Sequence, residues 1–170
     1  MTVLEVKNLH HSYHGVPVLR GVSFRLERGE FAGVIGLSGA GKSTLLRCIN
    51  RLVSAGSGQV LVPRTLLNGG TSSECVDVLK ASAGELRALR RRIGMIFQQF
   101  NIVKRLSVID NVLSGGLGYQ PTIRSALRIF TREEKRRALM NLKRVGLLEH
   151  AYKRADELSG GEQQRVAIAR

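Results

Sequence analysis

Apolar and polar positions alternate strictly in "VSFRLE", Val22 to Glu27, the period of a strand with one face exposed in an antiparallel sheet. Val3 to Leu9 reads as another strand, and Arg28-Gly29-Glu30 as a turn. The next run, Phe31 to Ile35, is apolar throughout, which predicts a strand buried on both faces of a parallel sheet. A glycine-rich loop follows, then a helical pattern from Ser43 to Leu52 that stops at the turn signal Gly56-Ser57-Gly58. Gln59 to Val62 predicts a further strand, and "PRTLLNGGTSS", Pro63 to Ser73, a loop. Glu85 to Arg92 predicts a basic helix, and Ile93 to Phe97 an apolar strand. Ser107 with Asp110, and Thr131 with Glu134, have capping-box spacing and open helices. The order is α/β, with an antiparallel part in front and a helical part behind, and no internal repeat is visible.

The loop between the apolar run and the first helix changes this picture from fold to chemistry. "GLSGAGKST", Gly36 to Thr44, satisfies G-x-x-x-x-G-K-S/T and lies between a predicted strand and a predicted helix, the context that the motif requires. Its residues are Gly36, Leu37, Ser38, Gly39, Ala40, Gly41, Lys42, Ser43 and Thr44. Glycines let successive backbone N–H groups curl around phosphate oxygens, and the helix N-terminus adds partial positive charge. Lys42 can reach the β- and γ-phosphates of ATP, and the Ser43 hydroxyl can ligate Mg²⁺. The glycines at 36, 39 and 41 do not fit the dinucleotide pattern G-x-G-x-x-G.

Composition narrows the partners. The chain has 170 residues, enough for one domain, and a formal charge of +14. That charge points to nucleic acid, an anionic membrane surface or a polyanionic ligand. Cys48 and Cys75 stand far apart with no CxxC, so neither a disulfide framework nor a zinc site is expected, and a reducing cytosol fits. The opening "MTVLEVKNLHHSY" carries Glu5 and Lys7 within its apolar run, unlike a signal peptide. No apolar run is long enough to span a bilayer, so the expectation is a soluble or peripheral protein.

A phosphate loop leaves many ATPases and GTPases open, and "LSGGEQQR", Leu158 to Arg165, narrows them. Ser159 and the Gly160–Gly161 backbone can form a second anion site at a helix N-terminus. The other reading of the same residues is a serine-capped helix start, with Glu162 completing the capping box. Taken with Gly36 to Thr44, the stretch resembles the signature motif of the ATP-binding subunits of ABC transporters. That resemblance implies a P-loop NTPase core with an N-terminal antiparallel β subdomain and a helical subdomain at about 100–157. It also implies ATP and Mg²⁺ as cofactors and a head-to-tail homodimer, in which Ser159 to Glu162 of one chain cover the γ-phosphate held by the other. Permease subunits, and indirectly a periplasmic binding protein, would be partners at the cytoplasmic face of a bacterial inner membrane.

Other family positions match singly. Tyr13, in "HSYHG", stands where the family stacks an aromatic ring on adenine; otherwise it is a strand-end tyrosine held by packing. Gln98, ending "IGMIFQQF", matches the glutamine that reaches Mg²⁺, with Gln99 the near alternative. "LSVIDN" resembles the family's helix rather than its metal-binding strand, so Asp110 is given no metal. His10, His11 and His14 read as surface-loop histidines, and Cys48 as a small core residue. Arg87, Arg90, Arg91 and Arg92, with Arg132, Lys135, Arg136 and Arg137, read as a solvated basic face. A nucleic-acid partner is not expected, because the stretch of about sixty residues between Gln98 and Ser159 has no sustained heptads for a coiled-coil arm.

"GLSGAGKSTLLRCINRLV" and "LRRRIGMIFQQFNIVKRLSVIDNVLSGGLG" look like the ATPase subunit of bacterial phosphonate importers; ATPases of amino-acid or other oxyanion importers are similar. The likeness breaks at Pro63 to Ser73, which resembles an insertion. In the family, the metal-binding strand, a catalytic glutamate and a switch histidine follow the signature helix, and none follows Arg170 here. The expectation is therefore a chain whose C-terminal part is missing, through a truncated product, a fragment or an incomplete gene model. A working ATPase recorded in part and a nucleotide-binding remnant both fit. Either way, residues 1–170 alone are expected to lack catalysis.

Overall fold

The computed structural model describes residues 1–68, 74–97, 101–120 and 122–170. They form two compact units, Met1–Gly94 and Met95–Arg170.

The first unit is built on a four-stranded antiparallel sheet in the order β2-β1-β3-β4, from β1 (Thr2–Tyr13), β2 (Val16–Glu27), β3 (Ser57–Pro63) and β4 (Cys75–Asp77). β1 and β2 meet in a hairpin with two loop residues, His14 and Gly15, whose φ angles of 50° and 80° suit the right-handed strand twist. The alternation seen in the sequence is obeyed: along β2, Ser23 and Arg25 are exposed while Val22, Phe24 and Leu26 are shielded. Val6, Leu9, Val60, Val62 and Val76 form the buried face of the sheet. Against it pack Leu45, Cys48 and Ile49 of α1 (Lys42–Ile49) and Leu86 and Leu89 of α3 (Ala83–Arg92). Cys48 is fully buried, and that burial pushes its thiol pKa up, as suits an inert core residue.

Two arginines tie the helices of this unit together. Arg51, just past α1, donates from one guanidinium nitrogen to the carbonyls of Val78 (3.2 Å), Leu79 (3.4 Å) and Ala81 (2.6 Å). Arg90 of α3 donates back to the carbonyls of Asn50 (3.1 Å) and Arg51 (2.7 Å). Carbonyls past a helix C-terminus lack intrahelical partners, and a cation there also complements the dipole. Arg90 stays exposed, as expected of the basic face, and its guanidinium braces these carbonyls as well.

Two expected strands are absent. Phe31 to Ile35 joins no ladder among the described residues, and Phe31 and Ile35 are 95% and 99% exposed. Ile93 to Phe97 is likewise not a strand. The reason is that an apolar run becomes a parallel strand only when a neighbouring strand supplies hydrogen bonds. The described strands all pair antiparallel, and none lies beside either run. The expected loop at Pro63 to Ser73 contains a short helix, α2 (Thr65–Asn68), before it passes outside the described residues.

The second unit is helical: α4 (Val108–Ser114), α5 (Thr122–Ala126), α6 (Arg132–Arg144) and α7 (Gly160–Ala169). Val108, Ile109, Val112 and Leu113 of α4 pack against Ala138 and Leu142 of α6 and Val166 and Ala169 of α7, with Leu147, Ala151 and Leu158 between. Both expected caps are present, with the Ser107 and Thr131 side chains accepting from the N–H groups of Asp110 and Glu134. Asn111 is fully buried yet fully employed: its Oδ1 accepts from Val103 N (2.7 Å), and its Nδ2 donates to the Val103 and Ser107 carbonyls (both 3.0 Å).

Candidate phosphate-binding loop and signature helix

The loop Gly36 to Thr44 leads into the N-terminus of α1. Gly39 and Gly41 adopt left-handed φ angles of 83° and 87°, which turn the backbone sharply, and Ala40 N donates to the Leu37 carbonyl at 3.2 Å across the bend. Gly41 is the N-cap of α1 and lies against β2; a Cβ there would come within 3.0 Å of Val18 Cγ1 and 3.2 Å of the Val18 carbonyl oxygen. Lys42 folds back over the loop, its Nζ donating to the carbonyls of Gly36 (2.8 Å) and Leu37 (2.7 Å). The Ser43 side of the helix start is exposed, whereas Thr44 is buried. The ammonium, the two tight glycines and the open helix N-terminus fit a polyphosphate, and the exposed Ser43 is placed to meet a cation carried by it.

Tyr13 ends β1 opposite Val16 and is 40% exposed. Its ring and that of His11 form a T-shaped pair, with centroids 4.5 Å apart and planes at 84°. The ladder slips between the His11–Leu19 and Ser12–Pro17 pairs, leaving Val18 as an extra residue on β2. Gly41 rests on this same bulge, so β2 connects the Tyr13 hairpin to the phosphate loop. The histidines correct the sequence reading: His10 and His11 lie within β1, and His11 is 8% exposed rather than in a surface loop. His11 Nε2 is buried without a hydrogen-bond partner among the described residues, an arrangement that costs about 1–3 kcal/mol. Among the described residues no group of three or more metal-ligating His, Cys, Asp or Glu side chains occurs. Gln98 and its alternative Gln99 lie outside the described residues.

In the second unit, Ser159 caps α7. Its N–H and its hydroxyl donate to Glu162 Oε2 at 2.8 and 2.7 Å, and Glu162 N donates to Ser159 Oγ at 3.4 Å. The Ser159 hydroxyl, followed by its backbone N–H, holds the Glu162 carboxyl below the usual carboxylate range, and His150 Nε2 lies 3.6 Å from the other carboxylate oxygen. A side chain at Gly160 or Gly161 would meet nothing within 4 Å. Packing within the chain therefore does not demand glycine there, although each glycine within a helix costs up to about 1 kcal/mol against alanine. The cap takes the N–H of Glu162, while the first-turn N–H groups of Gly160 and Gly161 point out of the helix. The cap reading and the anion reading thus fall on the same residues and are compatible.

Two aspartates that could be taken for catalytic carboxylates are engaged elsewhere. Asp110 Oδ2 accepts from the Ser107 hydroxyl at 2.5 Å. Asp156 is held by Arg154 through two bonds of 3.1 and 2.6 Å, and the guanidinium lowers its pKa.

Sequence reading missed the capping box of α3, in which Ser82 and Glu85 bond reciprocally, although "SAGE" carried the signal. It also missed the His11–Tyr13 contact and the Arg51–Arg90 ties, which no local pattern announces.

The boxes of α3, α6 and α7 give a pH prediction. Glu85 and Glu134 are lowered chiefly by the backbone N–H groups of Ser82 and Thr131, and Glu162 by the Ser159 hydroxyl. A depressed folded-state pKa stabilises above the unfolded carboxylate's value, about 4.3, and that stabilisation is lost as pH falls through the lower folded-state values. In an NMR titration, the N-cap amides of Ser82, Thr131 and Ser159 should hold their positions through the ordinary glutamate range and shift only below it. Movement at the ordinary value would show that the carboxylates do not accept these bonds.

The family model described as "ABC transporter" matches residues 19–170. The phosphonates import ATP-binding protein PhnC of Shouchella clausii is 48% identical over 169 residues, covering 99% of this chain and 59% of the relative. PhnC 2 of Oceanobacillus iheyensis is 49% identical over 171 residues, covering 100% of this chain and 63% of the relative. The chain thus spans about three fifths of the length of these curated relatives. Among solved structures, a dimeric ATP-binding cassette in a post-hydrolysis state bound to ADP and Pi superposes with a TM-score of 0.79 at 31% identity. That match covers 98% of this chain and 67% of the cassette, and it bears out the α/β, P-loop NTPase-type fold.

Proposed function

Because this chain belongs to the ABC transporter family of ATP-binding proteins, we propose that it is the nucleotide-binding part of an ATPase subunit that powers phosphonate import. The observation that carries the reading is the loop Gly36 to Thr44, with the Lys42 ammonium bonded to two loop carbonyls at the mouth of a helix N-terminus. Bound ATP would supply the phosphoryl group, and Mg²⁺ bound with it would supply charge neutralisation.

This chain's own groups do the holding. Lys42 would exchange its bonds to Gly36 and Leu37 for phosphate oxygens, the loop N–H groups would bind the same oxygens, and the Ser43 hydroxyl would hold the metal, with Gln98 the further ligand that the family resemblance implies. Tyr13 offers its exposed ring to the base. Ser159, Gly160 and Gly161, on Glu162's cap, receive the γ-phosphate bound by a second copy in a head-to-tail dimer. Support comes from the glycines themselves: a Cβ at either would meet nothing within 4 Å, so packing within the chain does not account for them. Asp110 and Asp156 are engaged, so neither is assigned to polarise the attacking water, and these residues alone should bind ATP without turning it over.

The subunit would sit peripherally at the cytoplasmic face of a bacterial inner membrane, against permease subunits fed by a periplasmic binding protein. Among the described residues no helix is long and apolar enough to cross a membrane. The phosphonate assignment is supported by the names of the relatives. Its test is growth: a strain lacking the gene should fail on an alkylphosphonate as sole phosphorus source yet grow on phosphate. Normal growth on the phosphonate, with no second importer present, would move the substrate to another oxyanion or an amino acid.

A further inference from the structure

We infer that His11 is a positioning residue for the nucleotide base, fixing the ring of Tyr13 edge-to-face so that its outer face stays presented to adenine. The inference rests on the proposed role of Tyr13. Tyr13 lies at the free end of a two-residue hairpin, where a ring with no support would turn about its side-chain bonds. The only ring contact it makes among the described residues is with His11, at 4.5 Å and 84°, the geometry in which the positive edge of one ring meets the negative face of the other.

His11 is itself held firmly. It is 8% exposed, sits opposite the buried Leu19 in the β1–β2 ladder, and belongs to the stretch where the Val18 bulge receives Gly41 of the phosphate loop. Hydrogen bonding through Nε2 does not account for a histidine there, since that nitrogen has no partner among the described residues. What the position supplies is a flat ring, anchored in the sheet and joined through β2 to the loop that would hold the phosphates. Base platform and phosphate cradle then keep a constant separation.

The test compares Mg-ATP with tripolyphosphate, which carries the phosphates and no base, by equilibrium binding to the dilute purified chain. His11→Leu preserves burial and removes the ring. It should weaken ATP on the order of threefold to tenfold and leave tripolyphosphate unchanged, and His11→Phe should restore ATP binding. Equal weakening of both ligands, no weakening of ATP, or failure of His11→Phe to rescue would each overturn the inference. Tyr13→Leu separates this from its premise. If Tyr13→Leu lowers ATP affinity while His11→Leu does not, only the role of His11 falls. If Tyr13→Leu is silent, the base-stacking role of Tyr13 falls and the inference with it.

Discussion

In the ATPase subunit proposed above, Lys42→Ala is expected to reduce ATP turnover at least about a hundredfold, the scale on which removing one donor from a developing oxyanion acts. Among the described residues the Lys42 ammonium bonds to the Gly36 and Leu37 carbonyls, both on the exposed loop. Its removal should therefore leave thermal unfolding almost unchanged while binding and turnover collapse. The pairing of those two results is the informative one. A fold-stabilising lysine would lower the unfolding temperature, and a surface lysine would leave turnover intact. Wild-type turnover in Lys42→Ala, with unfolding unchanged, would remove Gly36 to Thr44 from the nucleotide site. In the 170-residue chain the same substitution should abolish Mg-ATP binding, and phosphate release should stand at the Lys42→Ala background in both variants.

The second large effect concerns Phe31 and Ile35. They lie nearly fully exposed, with Leu37 86% exposed and Val34 half exposed close by, on backbone that pairs with no strand among the described residues. Burying a side chain of this size is favourable by about 1.5–3 kcal/mol, so the segment is a template for pairing with other copies. The purified chain should self-associate at micromolar concentration and bind a hydrophobic dye. Phe31→Ser combined with Ile35→Ser should lower the associated fraction on the order of tenfold without lowering the unfolding midpoint, because the exposed side chains contribute little packing. Light scattering and urea unfolding measure the two outcomes. A monomeric wild-type chain, or a double variant that unfolds more easily, would show that the run is already packed within the fold.

The contrast between the phosphate loop and the Phe31–Ile35 run shows how far the sequence alone reached. Gly36 to Thr44 was legible because its chemistry is contiguous: turn, helix start, lysine and hydroxyl follow one another, and their conformations depend on neighbours a few bonds away. The caps at Ser107, Thr131 and Ser159 were legible for the same reason, each being a bond between residues three apart. Strand alternation in Val22 to Glu27 likewise reports which face meets a core.

The apolar run from Phe31 to Ile35 carries a demand for burial and nothing about its partner, since strand pairing is a contact between segments distant in sequence. Only the tertiary structure could decide that it pairs with no strand among the described residues. It also gave the exposed Arg90 a role as a brace on the Asn50 and Arg51 carbonyls, and turned His11 from a loop histidine into a buried ring against Tyr13. Both assignments depend on where the chain returns in space: a guanidinium finds carbonyls and a ring finds an edge only after the sheet and helices have packed. Local bonding is written in adjacent residues, while partners across the fold are chosen by packing.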